Sequence, residues 1–146
     1  MSIKIPQAFY SAMLNGGLGV DLVFPNGIYS TWNGSTYSSV TGAYNPEINR
    51  PYVELHNFPA GKGPLSLSHS DENKGLFQAI VNTPLDGGWL PARALMDSVS
   101  ALLPIGGAIA YDDQDVVIDS HRESNGSNDK FHSLVFRAEY TAFTPR

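Results

Sequence analysis

The stretch Gly75-Leu76-Phe77-Gln78-Ala79-Ile80-Val81-Asn82-Thr83-Pro84 leads through Gly87 and Gly88 into the run Trp89 to Leu103. No other segment constrains the fold as strongly. The near-continuous apolar centre of Leu76 to Thr83 predicts a strand inside a sheet rather than at its margin. In the run that follows, Ala92, Leu95, Met96, Val99, Leu102 and Leu103 fall at i, i+3, i+4, i+7, i+10 and i+11, while Arg93, Asp97, Ser98 and Ser100 fall elsewhere. That is one apolar stripe, enough to cover one sheet face. Pro91 suits the first helical turn, and Pro104 with Gly106-Gly107 ends the helix. A strand passing through a Gly/Pro break into a single amphipathic helix fixes the middle of a small α+β domain.

The flanking sequence supplies the remaining elements. Ala8, Phe9, Ala12 and Met13 share one face of a short helix over Pro6 to Leu14, closed by Gly16-Gly17. Val20 to Phe24 reads as a brief strand stopped at Pro25-Asn26-Gly27, since Asn and Gly tolerate positive φ. From Ile28 to Pro51 the chain is polar and aromatic with turn residues throughout, which predicts an ordered projecting loop or hairpin near 28–49. Tyr52 to Phe58 alternates as a half-buried strand, with Val53, Leu55 and Asn57 on one face, Tyr52, Glu54, His56 and Phe58 on the other, and an end at Pro59-Ala60-Gly61. A second projecting loop or hairpin is expected near 62–73, weakly alternating at Leu65 and Leu67 and then polar through His69. Ala108 to Tyr111 and Val116 to His121 flank Asp112-Asp113-Gln114-Asp115 as a hairpin. After a loop over Ser124 to Asp129, Phe131 to Ala142 alternates for long enough to cross a whole sheet. The order predicts one α+β domain over residues 1–146, with two helices on one face of a mainly antiparallel or mixed sheet.

Length and composition bound what such a domain does. A chain of 146 residues buries roughly 70% of its unfolded surface, so its core needs no staple. Cysteine is absent, which removes disulfides, thiol nucleophiles and zinc–thiolate sites together and fits assembly in a reducing cytoplasm. No run of about 18 apolar residues occurs and the N-terminus has no signal-peptide pattern, so neither membrane insertion nor secretion is expected. Charged residues make up 16% of the chain, against about 25% in typical domains, and the net charge is −5. There is no basic stripe to neutralise phosphates, so gripping nucleic acid is not expected, whereas DNA sliding past is compatible with it. Low charge with abundant Ser, Asn, Gly, Tyr and Phe also suits surface buried against other subunits.

Reactive constellations are absent from the pattern. His56, His69, His121 and His132 have no HExxH or other short ligand spacing, and read as ligand-free. The acidic group Asp112, Asp113, Asp115 and Asp119 lacks the order of an EF-hand loop and reads as a polar hairpin tip. No Gly-x-Ser-x-Gly elbow exposes a serine, and neither Gly61-Lys62-Gly63 nor Gly16 to Gly19 has phosphate-loop spacing. No catalytic residue, cofactor site or metal ligand is therefore assigned. Trp32, Tyr37 and Tyr44 either pack their own loop or form a subunit-contact or sugar-stacking surface.

Taken together, these pieces resemble the tail terminator family of long-tailed, lambda-like bacteriophages. The resemblance runs over most of the chain: the short N-terminal helix, the Val20-to-Pro25 strand, Pro51-Tyr52-Val53-Glu54-Leu55 with Pro59-Ala60, and a polar loop. It continues with Gly75-Leu76-Phe77-Gln78, Thr83-Pro84, the Gly88 turn, the helix around Ala92, Ala94 and Leu95, and a last strand ending Phe136-Arg137-Ala138-Glu139-Tyr140. The Ile28 to Asn49 segment is longer than the family's usual approach to the Pro-Tyr strand, and the first helix is short.

The resemblance implies a non-enzymatic virion protein, assembled in the host cytoplasm and placed at the tail–head interface, the neck. It would form a homo-oligomeric ring, a hexamer, on the head-proximal end of the tail tube, stop tube polymerisation and offer a docking surface to the head. Its implied partners are its own copies, the tail tube protein and the head-completion or connector protein, with DNA passing through the lumen unbound and no membrane. A head-completion adaptor or a tube-like subunit is the alternative structural role, and a small ligand- or metal-binding module the alternative outside it. The segments 28–49 and 62–73 are the expected partner-contact surfaces, since long polar loops on a rigid sheet carry such contacts.

Overall fold

The computed structural model describes residues 4–25, 27–46, 50–64, 70–112, 114–126 and 130–145. Among these residues two α-helices, α1 (Lys4–Leu14) and α2 (Leu90–Ala101), accompany eight strands. These are β1 (Asp21–Val23), β2 (Ile28–Trp32), β3 (Tyr37–Thr41), β4 (Tyr52–Pro64), β5 (Ser70–Pro84), β6 (Ala108–Tyr111), β7 (Gln114–Asn125) and β8 (Phe131–Pro145). They form one sheet in the order β3-β2-β1-β4-β5-β8-β7-β6. β1 lies parallel to β4, and every other neighbouring pair is antiparallel. The fold is α+β with a mixed sheet. Among the described residues no helix is long and apolar enough to cross a membrane.

Both helices lie on one face. Phe77, Ala79 and Val81 of β5 and their register partners Ala138, Phe136 and Leu134 of β8 all point to that side and are buried. Phe9 of α1 stacks on Phe77 with centroids 4.5 Å apart, and α2 contributes Ala92, Met96 and Val99 to the same cluster. The expected stripe of α2 is the one buried, with Leu103 beneath it and Leu95 and Leu102 half-covered. Trp89, just before α2, lies 4.2 Å from the ring of His132, which is opposite Thr83 on this face. The strand predicted to lie inside the sheet does so, with β4 on one side and β8 on the other.

The strands are longer than local pattern suggested. β4 does not end at Pro59 but continues to Pro64, with a register shift between Pro59 and Gly61. The reason is positional: β1 reaches only as far as Glu54, so beyond it β4 is an outer strand, where a bulge accommodates proline. β7 likewise runs on from His121 to Asn125, after a register shift between Ile118 and Ser120. Tyr52, expected on the outer face, is on that face yet buried, because Tyr44 and Phe131 pack on it. Asn26, Leu65, Leu67, His69, Asp113 and residues 127–129 lie outside the described residues.

Candidate functional site

The segment from Ile28 to Arg50 is organised around one carboxylate. β2 and β3 form a hairpin closed by Asn33, whose Oδ1 accepts from the backbone amides of Ser35 and Thr36. Beyond β3, Tyr44 packs on Tyr29 and Tyr52 on the face that carries no helix. Asp21 in β1 sits at the root of the segment and is 1% exposed. Arg50 donates from Nε to Oδ2 at 2.6 Å and from Nη2 to Oδ1 at 2.8 Å; Nη2 also reaches the Trp32 carbonyl at 2.6 Å. The Trp32 amide donates to Oδ1 at 2.9 Å and the Tyr44 hydroxyl to Oδ2 at 2.7 Å. Burial opposes ionisation of Asp21, but the Arg50 bonds and charge, the Trp32 amide and the Tyr44 hydroxyl outweigh it and hold the carboxyl below its ordinary range. Burial, then the bond to Asp21, pushes the Tyr44 phenol well up.

Four donors on one carboxylate leave it nothing to offer a substrate. The cluster is a pin that fastens the edge hairpin, Tyr44 and Arg50 to the sheet. A line of rings continues from it: Tyr29 to Tyr44, Tyr44 to Tyr52 and Tyr52 to Phe131, at centroid separations of 5.1, 5.1 and 5.2 Å. Trp32 and Tyr37 lie 4.9 Å apart, and Tyr37 donates to the Val20 carbonyl. Between the rings is an open depression of about 410 Å³, lined by Asp21, Tyr29, Thr31, Trp32, Asn33, Tyr44, Asn45 and Arg50. Of the readings open for Trp32, Tyr37 and Tyr44, packing of their own segment is the one their contacts satisfy. The sequence did carry a signal for the pin: Asp21 interrupts the apolar run Val20 to Val23, and a carboxylate in such a strand requires a cation or several donors.

The second projecting segment is the outer end of a β ribbon. Lys62 to Pro64 pair with Asn73 to Asp71, and Ser70 to Asn73 pair with Pro145 to Ala142. Three strands thus run on together past Ala142. The candidate ligating groups are scattered. His56 faces Glu54 at 3.6 Å, His121 Nε2 meets the Leu103 carbonyl, and His132 Nε2 lies 3.2 Å from the Leu85 carbonyl. Asp112 pairs with Lys4 at 3.0 Å, and Asp119 accepts from Thr141. Among the described residues no three His, Asp or Glu side chains converge as a metal site would require.

A family model described as phage tail terminator protein matches residues 31–136, from the end of β2 to the middle of β8. The chain belongs to this tail terminator family. It is a structural component of a bacteriophage virion tail, and such a family suggests a non-enzyme. A solved structure superimposes on 97% of this chain and 96% of its own with a TM-score of 0.68 and 16% identity, so this terminator shares its fold. No curated protein matches.

Proposed function

We propose that this terminator assembles as a homohexameric ring on the head-proximal end of the tail tube, stops tube growth there and forms the surface to which the head docks. The observation that carries this reading is the family match over residues 31–136. The architecture suits it: a rigid sheet with helices on one side, a pinned hairpin at one margin and a three-stranded ribbon running past Asn73 and Ala142 offer separate surfaces for separate partners. We assign the ribbon end, residues 62–73, to contact with the tail tube or the head connector. The net charge of −5 suits a lumen through which DNA passes without being held.

Light scattering over a concentration range, with electron microscopy after mixing with purified tail tubes, tests the reading. Rings, or monomers that become caps on tube ends, support it, and capped tubes should no longer elongate when tube protein is added. Binding to head vertices and not to tubes would move the protein to the head-completion side of the joint. A monomer that ignores tubes at every concentration would end the ring reading. Deleting residues 65–69 should leave rings intact and abolish capping; capping at the wild-type level would remove the ribbon from the contact.

A further inference from the structure

The sheet ends on two strands that share an unusual property. β3 and β6 are its margins, and among the described residues no strand pairs with the outer side of either. Edge strands in soluble proteins are ordinarily blunted by charges, prolines or bulges, because their unpaired N–H and C=O groups template association. Both margins are short, and β6 starts from a bulge in which Gly106 and Gly107 oppose Ile118, but within the strands themselves neither margin carries a charge or a proline. β3 is Tyr-Ser-Ser-Val-Thr and β6 is Ala-Ile-Ala-Tyr. Each lies in a longer uncharged run, since no Asp, Glu, Lys or Arg occurs from Leu22 to Pro46 or from Ser98 to Tyr111. Ser38, Ser39 and Thr41 are exposed on one margin, and Ala108, Ala110 and Tyr111 on the other.

The ladder shows which backbone groups face outward. Asn33 donates to the Thr36 carbonyl and Gly42 to that of Gly27, so by antiparallel alternation Tyr37, Ser39 and Thr41 turn their N–H and C=O away from β2. Ile118 donates to the Gly107 carbonyl, and the same alternation turns those of Ala108 and Ala110 away from β7. Strand directions follow from the pairings. β4, β8 and β6 run one way across the antiparallel half of the sheet; β1 is parallel to β4, and two antiparallel steps bring β3 to the same direction. The two margins therefore run parallel to each other at opposite ends of one sheet.

We infer that β3 of one copy pairs in parallel with β6 of the next, joining the sheets head to tail. This rests on the ring reading above and names the joint. Rotation about an axis along the strands brings β6 of one copy beside β3 of its neighbour with directions preserved, so the joint is heterologous and closes only when the ring does. An antiparallel β3–β3 contact would instead make a two-fold dimer and leave β6 bare. A foreign strand would likewise satisfy one margin, whereas a second copy satisfies both. Strands of five and four residues make a small joint, so single contacts are weak and closure is cooperative.

The natural chain has no cysteine, which makes cross-linking unambiguous. Ser38 and Val40 lie on the helix-free face, opposite Thr31 and Tyr29, and Ala108 and Ala110 lie on the same face of the other margin. Pairing Ser38→Cys or Val40→Cys with Ala108→Cys or Ala110→Cys, then oxidising assembled rings, should give a ladder of covalent multimers up to the ring number. Each single-cysteine variant should give none. Ser39→Pro and Ala110→Pro remove an outward donor without touching the inner ladder; each should keep the wild-type circular dichroism spectrum and lose rings at concentrations where the wild type forms them. Rings that persist in both proline variants, with no ladder from any cysteine pair, would overturn the joint and leave the ring reading standing. A covalent dimer from Ser38→Cys alone would replace it with the two-fold contact. A wild type that never forms rings, free or on tubes, would remove both.

Discussion

Tyr140 lies across the bare Cα of Gly75, its register partner on the neighbouring strand. A Cβ at position 75 would come within 2.6 Å of the Tyr140 ring and 2.8 Å of the Phe58 carbonyl. The ring stacks on Phe77 at 4.2 Å, Phe77 stacks on Phe9 at 4.5 Å, and the Tyr140 hydroxyl donates to Asn57 Oδ1 at 3.0 Å. One missing side chain thus lets β8 lock onto α1 through β5. Gly75→Ala should cost about 1–3 kcal/mol by overpacking. The urea midpoint should fall with the slope unchanged; an unchanged midpoint would mean that Tyr140 has room to move aside.

Asp21→Asn keeps the shape of the pin and removes the Asp21 charge from beside Arg50. Because the Arg50 side chain is 40% exposed, water compensates in part, and the expected loss is about 1–3 kcal/mol, below that of a fully buried pair. The pH dependence has a definite sign. A carboxyl whose folded pKa is depressed contributes stability above its unfolded value of about 3.9, and that contribution is lost as pH falls toward the lower folded value. The difference in unfolding free energy between wild type and variant should therefore shrink below about pH 4. A difference constant down to pH 2 would refute the assignment.

Burial pushes the Tyr140 phenol up to about 12. Its contribution is fully present below the unfolded value of about 10 and is lost as pH rises toward 12, where the unfolded chain ionises and the folded one resists. Tyr140→Phe should cost about 1 kcal/mol at neutral pH for the bond to Asn57, and should lose less stability than wild type between pH 10 and 12. Parallel alkaline titrations of the two proteins, followed by urea unfolding, decide it.

Helix α2 offers a contrast within six residues of one another. Met96 is 1% exposed in the core, and Leu90 is 82% exposed at the first turn. Met96→Ala should cost about 2–5 kcal/mol, and Leu90→Ser should stay within about 0.5 kcal/mol of wild type in thermal unfolding. Equal losses would mean that α2 is seated by a different face.

Periodicity placed the elements of this protein because helix and strand periods are local. The stripe from Ala92 to Leu103, the apolar centre of β5 and the alternation of β8 were all legible, and with them the α+β class. Strand ends were not. Whether a proline stops a strand depends on whether it falls on a margin, and Pro59 falls where β1 has already ended.

What only the tertiary structure decided is which distant residues meet. Arg50 reaches Asp21 across 29 positions and Tyr140 reaches Asn57 across 83, and no local pattern encodes either distance. Asp21 in an apolar strand calls for a partner but does not say that it is Arg50, and the close approach of Tyr140 to Gly75 emerges only from the pairing of β5 with β8. The parallel placement of β1 beside β4 likewise set which strands became the margins. Local sequence fixes conformational preference residue by residue, whereas pairing is chosen by the burial and hydrogen bonding available to the whole sheet at once, and that choice exposed β3 and β6.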